Sequence, residues 1–180
     1  MLPRRRLTVA FLLVALAALP VPTGHASAAT TWTPSYTWSG TPSPVVLLLP
    51  QRMVRLRPTT FCWTAPPETS GEGEIGSALC SDGIEPARAD LAKVARNRAI
   101  RFWFGRPGWR WSATLTSFAH PRRDGCRVRR VPTRVTPQRF DLAPPRLRGT
   151  YRVRLSGRGP EGDVLVAFSW RYGSRPGRCS

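Results

Sequence analysis

The residues best equipped to do chemistry in this 180-residue chain are arginines. Arg127, Arg129 and Arg130 form one short run, and Arg152 and Arg154 form another. A guanidinium keeps its charge at any ordinary pH and offers a planar fork of donors to carboxylate or phosphate. Two such runs within strand-like segments read as an anion-binding site, and these five residues are its candidates. The wider charge is lopsided. Residues 29–90 hold four arginines and six acids, a balance of −2; residues 91–180 hold twenty arginines, Lys93 and four acids, a balance of +17. A field of that sign draws polyanions and negative surfaces. Outside a bacterium these are teichoic acids, anionic lipids, acidic glycans or released DNA. A plainer origin competes. Twenty-seven arginines against a single lysine also reflect the codon usage of a GC-rich genome, and arginines alternating with apolar residues also make an ordinary solvated face.

Other chemistries find little support. His120 would have to be the base of a Ser–His–Asp triad, yet no G-x-S-x-G or comparable nucleophile context occurs. It stands before Pro121 in a polar stretch, as a surface-loop residue does. Glu72 with Glu74, or Asp82 with Glu85, offers paired carboxylates for glycoside hydrolysis. They sit in a Gly-rich stretch, whereas such carboxylates need rigid placement. Calcium among Glu72, Glu74 and Asp82 lacks EF-hand spacing. The segment Ser70–Gly76 is acidic and would repel phosphate. No catalytic residue, metal ligand or cofactor site is expected. No nucleic-acid module is recognisable, so sequence-specific nucleic-acid recognition is not expected either.

The compartment is legible at the start. Arg4–Arg6, an apolar run from Leu7 to Leu19 and the small-residue exit Ala26-Ser27-Ala28 compose a secretory signal peptide over residues 1–28. The run is too short to span a bilayer of roughly 30 Å as a helix, and no later segment is apolar enough to do so. Removing residues 1–28 leaves 25 basic residues against 10 acidic ones, a balance of +15. All four cysteines, Cys62, Cys80, Cys126 and Cys179, lie beyond it, an even count that reads as two disulfides in an oxidising milieu. Three pairings are open; Cys62–Cys80 with Cys126–Cys179 is the expected one. A four-cysteine zinc site is disfavoured because no C-x-x-C occurs.

The elements that must position these residues are strands. Residues 29–49 read as an extended Thr/Ser/Pro-rich arm whose aromatics, Trp32, Tyr36 and Trp38, fold back on the domain edge. Residues 50–180 read as one β-sandwich domain. Period-two alternation marks 52–57, 100–104, 109–116, 126–130, 151–155 and 164–172, and Thr59–Thr64 is β-branched and aromatic. Pro86–Asn97 reads as a short helix. The last two alternating runs flank Ser156–Gly162, read as the loop of a hairpin. The expectation is an all-β, disulfide-braced sandwich of seven to eight antiparallel strands.

One resemblance emerges at that hairpin. Leu142-Ala143-Pro144 and Gly149-Thr150-Tyr151, leading into Arg152–Leu155, resemble an immunoglobulin-like or fibronectin-III-like sandwich. The resemblance implies a tyrosine corner at Tyr151, a ring folded back on the preceding backbone. Phe61–Trp63, Cys80–Gly83, Gly157–Asp163 and Phe168–Trp170 further resemble small secreted proteins and lipoproteins of actinobacteria, over roughly residues 50–172. It implies a secreted, non-enzymatic protein with a binding or structural role at the cell envelope. Its partner would be an anionic envelope polymer or another envelope protein, and an Arg-rich polyanion binder is the alternative form of that role.

Overall fold

The computed structural model describes residues 33–64, 68–70, 73–75, 77–95, 98–120 and 126–173. The chain is all-β, with no α-helix among the described residues. In chain order the strands are β1 (Val45–Leu48), β2 (Met53–Leu56), β3 (Thr60–Thr64), β4 (Glu68–Ser70), β5 (Gly73–Ile75), β6 (Ala78–Asp82) and β7 (Lys93–Ala95). They continue with β8 (Ile100–Phe104), β9 (Arg110–Ser117), β10 (Arg127–Arg130), β11 (Thr133–Thr136), β12 (Arg139–Leu142), β13 (Gly149–Gly159) and β14 (Gly162–Tyr172). A five-stranded sheet has the order β11-β12-β8-β1-β2, and a seven-stranded sheet the order β10-β9-β13-β14-β3-β6 with β7 beside β14. Every pairing is antiparallel except that of β7, which runs parallel to β14. β4 and β5 form a separate hairpin.

The sandwich follows from the alternation. In the smaller sheet Val45, Leu47, Ile100, Phe102, Phe104, Phe140 and Leu142 turn inward. In the larger sheet the inward side carries Trp63, Trp111, Leu115, Val153, Leu155, Val164, Val166, Phe168 and Trp170. The two sets meet through rings: Phe102 and Phe104 each lie 5.2 Å from Trp111, and Phe104 lies 4.6 Å from Trp109. Burying each such ring contributes about 1.5–3 kcal/mol. Cys62 and Cys80 oppose each other directly in the β3–β6 register, Cα atoms 4.1 Å apart, and their disulfide braces the edge of the larger sheet. Cys126 is disulfide-bonded as well; Cys179, and with it the expected pairing, lies outside the described residues, as do residues 1–28.

Four expectations are corrected. Two sheets of five and seven strands exceed the seven or eight expected, because several strands are only three to five residues long and too short to show a period. Val45–Leu48 belongs to the sandwich rather than to the arm: it lies between β2 and β8, and its continuous apolar run is that of a strand covered on both faces. Pro86–Asn97 is not a helix where it is described. Arg88–Asp90 turn, Leu91 buries, and Lys93–Ala95 pair with β14, so the Leu91/Val94 spacing comes from two separate inward contacts. The segment Ser156–Gly162 is mostly strand. The β13–β14 ladder runs to Gly159↔Gly162, leaving only Pro160 and Glu161 at the tip.

That last difference has a packing cause. A Cβ on Gly157 would stand 2.7 Å from the Trp111 ring, and one on Gly159 would stand 2.3 Å from Trp109. Glycine here makes room for indoles rather than for a turn. The tip is locked by Glu161, only 4% exposed, which accepts from Trp109 Nε1 at 2.6 Å and pairs with Arg106 Nε at 2.7 Å. The Arg106 guanidinium in turn lies 3.6 Å from the Trp38 ring centre. Tyr36 and Trp38 both pack on Trp63, whose Nε1 donates to Ser39 O. Trp32 lies outside the described residues.

Candidate functional site

The outward side of β9 carries Arg110, Ser112, Thr114 and Thr116, because Trp111, Ala113, Leu115 and Ser117 take the inward side. Its neighbours in the sheet are β10 and β13. Thr116 stands between Arg127 and Arg152 in register, and Thr114 between Arg129 and Arg154. Strands lie about 4.8 Å apart, so the arginines flanking each threonine stand roughly 9–10 Å apart at their backbones. Short hydroxyl side chains thus form a floor along β9, with long guanidinium side chains rising on either side.

A cavity of about 450 Å³ lies there, lined among others by Thr114, Thr116, Arg127, Arg152, Arg154 and Arg88. Arg127 and Arg129 are exposed, and neither side chain has an ion-pair or hydrogen-bond partner among the described residues. Arg88 comes from the turn before β7, its guanidinium 4.4 Å from the Phe118 ring centre, with Arg152 5.9 Å from the same ring. A cation over an aromatic face is held by the ring's quadrupole, so Phe118 positions both.

One carboxylate enters this face. Glu85, from the irregular segment after β6, sets Oε1 2.8 Å from Arg152 Nη1. Its Oε2 accepts from Arg154 Nε at 2.7 Å and from Arg154 Nη2. Burial pushes the Glu85 carboxyl up, but the hydrogen bonds from Arg154 and Arg152 and their charges outweigh it and hold it below the ordinary value. The Arg154 guanidinium is raised, chiefly by its hydrogen bond to Glu85. Four arginines (88, 127, 152 and 154) against this one carboxylate leave a net charge of +3 in the cavity lining, with Arg129 beside it on β10. Chemically, such a groove can grip an oxyanion from two walls and offer hydroxyl hydrogen bonds from beneath.

Four of the five arginines picked out from sequence therefore share one face. Arg130 does not. It is level with Ala113 on the opposite side of β10, half-buried, with Nη1 on Arg129 O. Period two separates it from Arg127 and Arg129, so its removal from the set is a correction. Sequence reasoning misses Arg88, Phe118, Thr114 and Thr116, and offers Glu85 only as a partner of Asp82 in a carboxylate pair. The outward half of the 109–116 alternation was the one signal for the two threonines.

The remaining candidates stand apart from this groove. Tyr151 Oη donates to Leu147 O at 2.8 Å, the back-bond a tyrosine corner makes, and burial raises its phenol. His120 is exposed in the coil after β9, with no hydrogen bond or ion pair among the described residues. Glu72 lies outside the described residues, and Asp82 is exposed on β6. Both oxygens of Glu161 are engaged, which makes it a structural lock rather than an acid. Among the described residues no three His, Cys, Asp or Glu side chains gather as metal ligands, and no helix is long and apolar enough to cross a membrane. Compared with known protein families, curated proteins and solved structures, the chain finds no match.

Proposed function

We propose that this is a non-enzymatic, extracytoplasmic β-sandwich that binds an anionic polymer of the cell envelope through the outer face of its larger sheet. The observation that carries the reading is the grouping of Arg127, Arg129, Arg152 and Arg154 around a hydroxyl floor, with the first two unpaired among the described residues. The two rows flank one strand, so their charges add over a single groove and favour an anion there. The exposed Cys62–Cys80 bridge fits an oxidising compartment. The resemblance to small secreted actinobacterial proteins belongs with the same reading.

Charge-matched variants test it. Arg127→Gln/Arg129→Gln should weaken binding of poly(glycerol phosphate) by at least about tenfold at low salt, since each charge-assisted hydrogen bond is worth about 1.5–3 kcal/mol. Arg57→Gln/Arg139→Gln removes the same charge from exposed positions outside the groove and should change affinity less than about threefold through the general field alone. Equal losses in the two variants would reject a localised site.

A further inference from the structure

The arginine rows do not stop at the cavity. Two strand positions beyond Thr114 and Arg154, Ser112 stands level with Ser156; two further on, Arg110 stands directly opposite Arg158. Both arginines are exposed, and neither has a hydrogen bond or ion pair among the described residues. Like charges directly opposed in an antiparallel pair oppose folding, and here no described carboxylate relieves them within ion-pair distance. Asp163 is level with Arg158 on β14, on the side away from β9. The Arg152 and Arg154 pair on the same strand does hold an oxyanion group, the Glu85 carboxylate. Two cavities, of about 650 and 580 Å³, share Arg110 and Arg158 in their walls; the second takes in Ser112 and Ser156, with Asp163 at its β14 side. The hydroxyl floor is thus continuous from Thr116 to Ser112.

We infer that Arg110 and Arg158 form a second anion station on one track along β9 and β13, and that the track is built for a linear polyol-phosphate chain. The inference rests on the reading above and sharpens it. Along β13 the outward arginines Arg152, Arg154 and Arg158 fall at intervals of two and four residues, roughly 6.7 and 13 Å at strand rise, so the track runs about 20 Å. Only a chain carrying anions at repeated intervals reaches both stations. Guanidinium forks match phosphate oxygens, and the Ser/Thr floor matches hydroxylated linkers. Single-stranded nucleic acid needs stacking platforms along its path, and the floor between the stations supplies none. Asp163, in the β14-side wall of the second cavity, and Asp82, outward on β6 beyond it, repel phosphate and mark the limit of the track on that side.

The test is length dependence with the full secreted protein. A glycerol-phosphate dimer reaches one station; a decamer spans both. The wild type should bind the decamer at least about tenfold tighter than the dimer, since linked sites add avidity. Arg110→Ser/Arg158→Ser should cut that gain to about threefold, what the extra registers of a longer chain leave, while dimer affinity stays within about twofold. Retained dimer binding also shows that the variant folds. A double variant that keeps the full decamer gain overturns the second station and leaves the first intact. A wild type that binds neither length overturns the reading beneath it. A ten-nucleotide oligothymidylate should bind about threefold more weakly than the decamer or worse; equal or tighter binding overturns the assignment to polyol phosphate.

Discussion

Glu85 is the residue on which the basic face turns. Its carboxylate holds Arg152 and Arg154 in place and also neutralises part of the charge that an external anion would meet. Glu85→Gln should therefore do two opposite things. Stability should fall by about 1 kcal/mol or less, because Arg154 is half exposed and solvent screens the pair. Affinity for polyanions should rise. The stability difference has a defined pH window. The folded carboxyl lies below its ordinary value, so its contribution is complete above the unfolded value of about 4.3 and fades as pH falls through the lower folded one. Chemical denaturation of both proteins should give a constant gap at neutral pH that closes in acid; a gap that widened in acid would contradict the assignment. Little of this residue's role is legible in sequence. Glu85 lies 67 positions before Arg152 in an irregular acidic stretch, and nothing local says which side chains it will meet.

At the scale of elements, alternation does most of the work and glycine misleads. The 109–116 and 151–155 runs announce β9 and β13 because their partners across the sandwich need apolar side chains every second residue. The same rule hides β1, whose outward Val46 is buried too. Gly157 and Gly159 read as loop residues, yet they complete β13 because Trp111 and Trp109 occupy the space their side chains would need. Gly157→Ala should destabilise the domain by about 1–3 kcal/mol, the usual cost of overpacking. Trp111→Phe in the same chain should recover part of it by shortening the ring. Thermal melts of the two single variants and the double variant would show this as non-additivity; strict additivity would mean that the glycine is not there for the indole.

On the scale of the whole molecule, the charge asymmetry is plain in the sequence, but the site it makes is not. Arg127, Arg129, Arg152 and Arg154 can be read as outward residues of two strands. That those strands flank the same third strand is decided by the sheet order β10-β9-β13, a long-range outcome of how the core closes. The same order brings Arg110 and Arg158 level with each other. Anion binding on the proposed reading is confined to one face of one sheet. The most direct measurement follows the arginine Nε–Hε signals by NMR while glycerol-phosphate oligomer is added. Signals of Arg127, Arg129, Arg152 and Arg154 should shift together and saturably, while those of Arg101 and Arg139, on the outer face of the other sheet, stay in place. Shifts of similar size on both sheets, or none on the β10-β9-β13 face, would contradict it.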